Sequence, residues 1–340
     1  MAIIDAHDHV IGDHPDTLAL LARYELRLLN VCFAESSGWR AEMAEPYRRL
    51  AHRHPERYAW CTSFDPPTFV PAGEAGAVGE AGAVAAAGVG AYAERVIAGL
   101  ERDFEAGALA CKVWKNLGLE VRRPDGSMLL VDDALFDPIY GYLARLGKPL
   151  LIHVAEPIAC WRPVSEPSPH QAYYRDNPQW HMHGRSDVPS HETLIASRDR
   201  VVARHPRLRV VGAHLGSLEH DLEALGARLA RHPNFAVDIS ARLGDLLSHD
   251  RDAVRSFFSR HADQILFGTD AVMRTPHSRL SAAERARQVD ELDRTYRDYF
   301  TYLETDGVVR HAGVAGRGIA LPDDVLERIY RANARDWYGL

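Results

Sequence analysis

The sequence predicts an α/β protein that folds as a (β/α)8 barrel, and three observations favour this prediction. Eight short apolar runs alternate with helical segments along the 340 residues. Each run is continuously apolar, which is typical of parallel strands buried on both faces. No glycine-rich phosphate loop follows the first run, as it would in an open nucleotide-binding sheet. A closed barrel is therefore favoured over a doubly wound sheet, which would fit the same alternation.

The predicted elements follow one another along a single domain over residues 1–340. The eight strands are expected at 2–4, 26–33, 58–64, 108–114, 149–154, 208–213, 235–239 and 264–268. A tandem Gly-Glu-Ala-Gly-Ala-Val within 66–90 predicts a surface insertion. The connection 155–189, rich in proline and aromatic residues, is longer than ordinary loops and predicts an ordered lid after the fifth strand. Additional C-terminal helices are predicted within 282–338, outside the barrel core.

Composition narrows the choice of partners and compartment. Lys and Arg total 40 against 47 Asp and Glu, a formal net charge of −7, so no basic footprint indicates nucleic-acid binding. The sequence has no apolar run of 18 residues, and we expect no membrane partner. The first strand follows Met1 at once, which leaves no room for a signal peptide. We therefore expect a cytoplasmic protein that acts on a small molecule.

Histidine and aspartate side chains come at the carboxyl ends of four predicted strands. His7 and His9 follow the first strand and, being two residues apart, point to the same face. His153 ends the fifth strand, His214 the sixth and Asp270 the eighth. In a barrel these strand ends form one rim, and active sites of this fold lie there. Imidazole and carboxylate groups at one rim predict a catalytic divalent-metal site.

These motifs together resemble the amidohydrolase superfamily of metal-dependent TIM barrels. The matching pieces are Asp5-x-His7-x-His9, a lysine of strand four, His153, His214 and Gly268-Thr269-Asp270. Residues 329–334 resemble the terminal helix of the amidohydrolase-related branch, which also holds decarboxylases, hydratases and lactonases. The resemblance implies that a divalent ion, zinc or alternatively manganese, is bound by His7, His9, His153 and Asp270.

The resemblance leaves the roles of Lys112 and His214 open. In binuclear relatives the lysine of strand four is carboxylated and bridges two ions, and the histidine of strand six binds the second ion. In mononuclear relatives that histidine instead contacts the water or the substrate. Lys112 is the candidate bridge, and its alternative is a cation that pairs with a substrate carboxylate or a rim acid. One ion is favoured, and two are expected if Lys112 is carboxylated.

The activity implied by the resemblance is hydrolysis of an amide, ester or lactone. A divalent ion would activate a water molecule, with Asp270 as the base and His214, if not a ligand, as a donor to the developing oxyanion. Lys112 is the third predicted catalytic residue. Basic residues near the rim favour a small anionic substrate. The residues expected to contact the substrate are Lys115, Glu156, Trp161, His183 and Arg185.

Two other interpretations stay open. If the substrate binds the metal directly, His214 and Asp270 would support protonation at carbon, and the protein would be a non-oxidative decarboxylase of an aromatic or unsaturated carboxylic acid. A barrel that holds a metal only for structure is the third interpretation, and an open rim site argues against it. Relatives often dimerise, so a homodimer is expected by analogy.

Overall fold

The computed structural model describes residues 3–35, 38–69, 83–84, 89–275 and 279–340. Most of the predicted insertion 66–90 lies outside the described residues. Within it, the two-residue strands Thr68–Phe69 and Ala83–Val84 pair in parallel. The helices of the described residues include none that is long and apolar enough to cross a membrane.

Eight parallel strands form the barrel. They are β1 (Ile3–Val10), β2 (Leu26–Val31), β3 (Tyr58–Ser63), β4 (Cys111–Val113), β5 (Leu150–Ile152), β6 (Val210–Gly212), β7 (Phe235–Asp238) and β8 (Ile265–Leu266). Each pairs with the next in sequence order. A ninth strand, β9 (Val272–Met273), continues from β8 and pairs with β1. Ala6 N–H donates to Phe267 O at 2.9 Å, so the sheet closes and the predicted barrel is confirmed.

A helix follows each barrel strand. These helices are α1 (Pro15–Arg23), α2 (Glu45–Arg53), α3 (Val89–Glu105), α4 (Asp137–Leu146), α5 (His191–Arg204), α6 (Leu222–Arg231), α7 (Arg251–Arg260) and α8 (Ala282–Glu304). Short helical segments include Asn116–Leu119, Gln171–Asp176, Ala213–Gly216 and Leu243–Ser248. At the C-terminus, Asp323–Glu327 and Asn333–Tyr338 are joined by the π-helical turn Arg328–Ala332.

The barrel interior is filled mainly by small and branched side chains, because bulky aromatic side chains from all eight strands would not fit in it together. Ala6, Val31 and Leu151 belong to this inner cluster. Trp337 and Tyr338 of the C-terminal helix belong to the same cluster. A larger second cluster lies between strands and helices. Filling the interior in this way leaves the carboxyl rim as the place for a site.

Two segments lie over that rim. The long connection between β5 and α5 contacts the loops after β6 and β7. Ile158 N–H donates to Glu219 after β6 at 2.8 Å, and His170 Nε2 lies 2.9 Å from Asp245 Oδ2 after β7. A hairpin, β10 (Val308–His311) and β11 (Val314–Arg317), follows α8 and was not assigned from the sequence. Its turn, Ala312-Gly313, has positive φ at both residues, as a two-residue type I′ hairpin requires.

Candidate metal centre

The carboxyl ends of the strands turn sharply where the predicted site residues stand. Asp270, His214 and Leu215 have φ of 60°, 60° and 57°, and Ala155 and Ala241 on the same rim also have positive φ. Residues other than glycine rarely adopt a positive φ, because this backbone conformation costs about 1–3 kcal/mol per residue. Strained backbone of this kind is concentrated at functional sites, and here it turns the polar side chains at the rim inward.

Three of the predicted ligands converge. Asp270 Oδ1 lies 3.2 Å from His9 Nε2 and 3.9 Å from His7 Nε2. One donor atom from each of the three residues lies within 4.8 Å of the others. Ligand atoms about 2.0–2.2 Å from a shared ion would be spaced in this way. The donor set therefore fits a divalent ion.

Two further histidines, His153 and His214, lie beside His7 and His9, and these four side chains form the histidine ring of the site. His214 stacks on His7 with ring centroids 4.8 Å apart, and His153 meets His214 edge-on at 4.4 Å. Among the described residues, the buried Nε2 of His153 has no hydrogen-bond partner. A buried polar atom without a partner is costly unless something else binds it. This orphaned nitrogen is the observation that best matches a missing ligand, and it supports His153 as a metal ligand.

The protonation states of the ring also suit metal binding, which needs neutral imidazoles and ionised carboxylates. Burial lowers the pKa of His9 to about 4 and lowers the pKa values of His153 and His214 well below the usual range. Burial alone would raise the pKa of Asp270. The hydrogen bond from His9 and the nearby imidazoles outweigh burial, and they hold that pKa well below its ordinary value.

Asp238, at the end of β7, was missed in the sequence. Its carboxylate orients the imidazole of His7. His7 Nδ1 donates to its Oδ2 at 2.9 Å, and both side chains are fully buried. Asp238 Oδ1 accepts from the His214 backbone N–H at 2.8 Å and from Ser240 Oγ at 2.5 Å. A proton on His7 Nδ1 leaves the Nε2 lone pair free for a metal. The sequence feature that could have indicated Asp238 is its place as an aspartate at the end of an apolar strand.

The hydrogen bonds of His214 define its tautomer. Its Nδ1 lies 3.0 Å from the carbonyl oxygen of Ser240, which can only accept, so Nδ1 carries the proton. The neutral ring then has a lone pair on Nε2. With its lone pair, Nε2 could bind a metal or accept a hydrogen bond from water. The predicted donation to an oxyanion would need a second proton on this ring and stays a prediction.

Lys112 contacts the histidine ring. Its Nζ is 2.9 Å from His7 Nε2, and the residue is only 2% exposed. Since His7 Nδ1 donates to Asp238, the ammonium donates to the His7 lone pair that a metal would take. Burial lowers the pKa of Lys112, which favours the neutral amine that carboxylation requires. The structure brings Lys112 to His7, and the chemical state of Lys112 decides whether it competes with an ion or binds one.

Two buried carboxylates of β1, Asp5 and Asp8, had no separate role assigned from the sequence. Thr269 Oγ1 donates to Asp5 Oδ2 at 2.7 Å and lies 3.0 Å from Asp8 Oδ1. Tyr296 of α8 donates to Asp5 Oδ2 at 3.0 Å. Thr269 precedes Asp270, so these contacts hold the β8 turn against β1. The cluster fixes the relative positions of the His7, His9 and Asp270 backbone.

The residues predicted to contact substrate divide into two groups. Lys115 and Glu156 are both buried and form an ion pair with each other. Tyr174 donates to Glu156 at 3.2 Å, and Lys115 Nζ lies 4.0 Å from the ring centre of Trp180. Lys115 is therefore neutralised by Glu156 and joins the long connection to the β4 loop. Substrate contact by this pair stays a prediction.

Trp161, His183 and Arg185 lie farther out on the long connection. Trp161 Nε1 donates to Pro189 O at 3.2 Å, and His183 Nδ1 lies 3.1 Å from Trp161 O. Arg185 forms an exposed ion pair with Asp187 at 2.9 Å. In the part of the chain that the structure describes, none of the three has a recorded contact with the histidine ring. Their roles in substrate binding likewise stay predictions.

A cavity of about 380 Å³ opens beside the donor cluster. Asp270 and Val272 form one wall, Tyr299 of α8 another, and His311 and Ala312 of the hairpin tip a third. The fourth side is formed by the long connection and by the loop after β7. This volume suits a small organic molecule. The segments over the rim therefore surround a space that reaches the donor cluster at Asp270.

The fold and the donor set define the class of protein, a (β/α)8 barrel with a histidine and aspartate cluster at its carboxyl rim. A family model described as Amidohydrolase matches residues 72–340. The chain thus belongs to the amidohydrolase family and is an enzyme of that superfamily, whose members typically depend on divalent metals. The matched range begins after His7 and His9, so their assignment as ligands depends on the geometry of the donor cluster and stays a prediction.

Solved structures with the same fold include enzymes of several reactions. An uncharacterised TIM-barrel protein from Bordetella bronchiseptica is 14% identical, with a TM-score of 0.56 over 100% of this chain and 99% of that one. A 2,6-dihydroxybenzoate decarboxylase is 14% identical, with a TM-score of 0.55 over 100% of both chains. A 4-oxalomesaconate hydratase from Rhodopseudomonas palustris is 13% identical, with a TM-score of 0.50 over 99% of this chain and 95% of that one. No curated protein matched the sequence. Similarity at this level establishes the fold alone.

Proposed function

We propose that this protein is a metal-dependent hydrolase that uses a metal-activated water to cleave an amide, ester or lactone bond of a small anionic substrate. The observation that carries the proposal is the convergence of His7, His9 and Asp270 donor atoms beside the unpartnered Nε2 of His153. The site opens on a cavity of about 380 Å³. Zinc is the proposed ion, with manganese as the alternative, because both accept nitrogen and carboxylate ligands.

A bound divalent ion would supply Lewis acidity and lower the pKa of water. The chain's own residues then have distinct tasks. Asp270 is held as a carboxylate at the site, so it is suited to accept a proton from the attacking water and pass it to the leaving group. Hydrolysis needs such a base, whereas decarboxylation needs an acid that delivers a proton to carbon. The position of the Asp270 carboxylate, 3.2 Å from His9 Nε2 at the donor cluster, suits it to the role of this base.

The reaction type is tested by product analysis in water enriched in ¹⁸O. A panel of carboxylated lactones and N-acyl amino acids would be compared with aromatic and unsaturated carboxylic acids. Hydrolysis predicts that the new carboxylate carries one ¹⁸O atom from solvent and that no CO2 is released. Release of CO2 from an aromatic or unsaturated acid, without ¹⁸O in the organic product, would replace the proposal with the lyase alternative.

Lys112 decides the number of ions. If it is carboxylated and bridges two ions, we expect about two metal equivalents per chain, falling to about one in Lys112→Ala, because the bridging ligand is lost. If it stays an amine, wild type and variant should each hold about one equivalent, since removal of an ammonium beside His7 leaves the other ligands in place. Elemental analysis of protein purified without chelator measures this.

Lys148→Ala is the matched control for Lys112→Ala, because Lys148 contacts Ala108 O at the start of the β4 segment, away from the ring. Its metal content should equal that of the wild type. A loss of all metal in Lys112→Ala, with the control unchanged, would contradict both accounts of Lys112. A ¹³C-labelled carbamate signal after exposure to ¹³CO2 would independently identify the carboxylated form.

A further inference from the structure

The cations that the sequence placed at the rim are largely committed elsewhere. Lys115 pairs with Glu156, Arg185 pairs with Asp187, and Lys112 contacts His7. An anionic substrate needs a different partner. Arg274, four residues after Asp270, is exposed, and within the described residues no carboxylate lies at ion-pair distance from it.

The side chain of Arg274 crosses the mouth of the barrel. Arg274 directly follows β9, and its guanidinium carbon lies 5.2 Å from the ring centre of Phe33, which follows β2. In the sheet, β1 lies between β2 and β9. The guanidinium therefore passes over the carboxyl end of β1, where His7 and His9 are. The ring of Phe33 meets the His9 ring edge-on at 5.2 Å, which places Arg274 beside the metal centre.

Phe33 has a second cation against it and an apolar neighbour. Lys112 Nζ lies 5.8 Å from its ring centre, and the Trp114 ring packs on it at 5.0 Å. Phe33 is 6% exposed and Trp114 is 8% exposed, so both rings are largely buried and held in place at this end of the barrel. A guanidinium stacked on an aromatic face keeps its N–H donors free in the ring plane, and those donors match a carboxylate.

We infer that Arg274 and Phe33 form an anion subsite at the mouth of the barrel, beside His9, which binds the carboxylate of a substrate with an apolar carbon skeleton. This inference rests on the proposed function for the identity of the reaction, and it adds the residue that selects the substrate. Arg274 is a specificity-determining residue that holds the acid group while the bond to be cleaved lies over the histidine ring.

Direct binding tests the subsite without turnover. Dissociation constants of benzoate, benzamide and acetate would be measured by calorimetry on the metal-loaded wild type, Arg274→Met and Arg231→Met. Benzoate should bind the wild type at least about tenfold more tightly than benzamide, the contribution of a charge-assisted hydrogen bond. Acetate should bind more weakly than benzoate, because it lacks an apolar skeleton. In Arg274→Met the preference for benzoate over benzamide should fall to about threefold or less, because the charge-assisted hydrogen bond to the carboxylate is lost.

Arg231 is the matched control, since it is exposed at the end of α6 that leads into β7, at the opposite end of the barrel. Arg231→Met should keep the wild-type preference. A benzoate preference that persists in Arg274→Met would show that another group holds the anion, and equal binding of benzoate and benzamide by the wild type would also overturn the inference. Benzoate binding as expected, with no hydrolysis in the ¹⁸O experiment, would retain the subsite and reject only the proposed reaction.

Discussion

Asp270→Asn is expected to lower kcat by about 10²–10⁴-fold, the usual contribution of a positioned general base. The amide keeps the shape of the side chain but cannot accept a proton at neutral pH. It also removes the negative charge that lies 3.2 Å from His9 Nε2, so bound metal should fall as well. Steady-state rates and metal content, measured on the same preparation, test both effects.

The matched control is Asp306→Asn, because Asp306 forms an exposed ion pair with Arg317 beside the hairpin, away from the ring. That variant should keep wild-type kcat, since exposed ion pairs contribute little. Circular dichroism should show both variants folded. Turnover by Asp270→Asn within about twofold of the wild type would be far below the expected effect of removing a base, and it would reject the assignment.

Asp238→Asn is expected to weaken metal binding by about 10–100-fold, the usual effect of losing a partner that orients a metal-binding histidine. The carboxylate accepts the His7 Nδ1 proton at 2.9 Å. An asparagine that places its NH2 group there would favour the other tautomer of His7, with the proton on Nε2 and no lone pair for the ion. Competition with a chromogenic chelator measures the affinity.

Ser240→Ala separates this effect from a general disturbance of the buried network. Ser240 Oγ donates to the same carboxylate at 2.5 Å, and its 3.2 Å contact with His7 Nδ1 is longer than the 2.9 Å contact that Asp238 makes. Its loss should therefore weaken metal binding less than Asp238→Asn does. Equal affinities in wild type and Asp238→Asn would mean that His7 is oriented by other contacts or is not a ligand.

The barrel and its ligand positions could be predicted from the sequence because both follow from local pattern. Apolar runs mark strands buried on two faces, and parallel strands bring their carboxyl ends to one rim. His7, His9, His153 and Asp270 follow such runs directly, so the topology alone brings them together. The family match and the closed sheet confirm the predicted barrel, while the ligand assignments stay predictions.

What the sequence did not reveal depends on side-chain pairing across the fold. Lys115 appears as a free cation in the sequence and is neutralised by Glu156, 41 residues away. Asp238 looks like the end of one strand until His7, 231 residues earlier, is placed beside it. Arg274 acquires meaning only because β1 separates β9 from β2. Such partners are set by three-dimensional packing and leave no local period in the chain.

The hairpin over the rim was missed for a different reason. Its strands are short, and its turn is Ala312-Gly313 rather than the Asn-Gly or Asp-Gly pair that signals a type I′ turn. Alanine at a φ of 49° is strained, so the tertiary contacts of the hairpin must hold that turn. The resulting wall of the cavity could not be foreseen from local preference.

The central claim is that a divalent ion at the rim is required for activity. The most direct measurement is the hydrolysis rate as a function of metal content, as the ion is removed by chelator and restored by zinc or manganese. The account predicts that activity rises in proportion to bound metal up to about one or two equivalents per chain, the capacity of the donor set. Full activity retained in protein with less than about 0.1 equivalent of metal would contradict it, because too few sites would hold the ion that activates water.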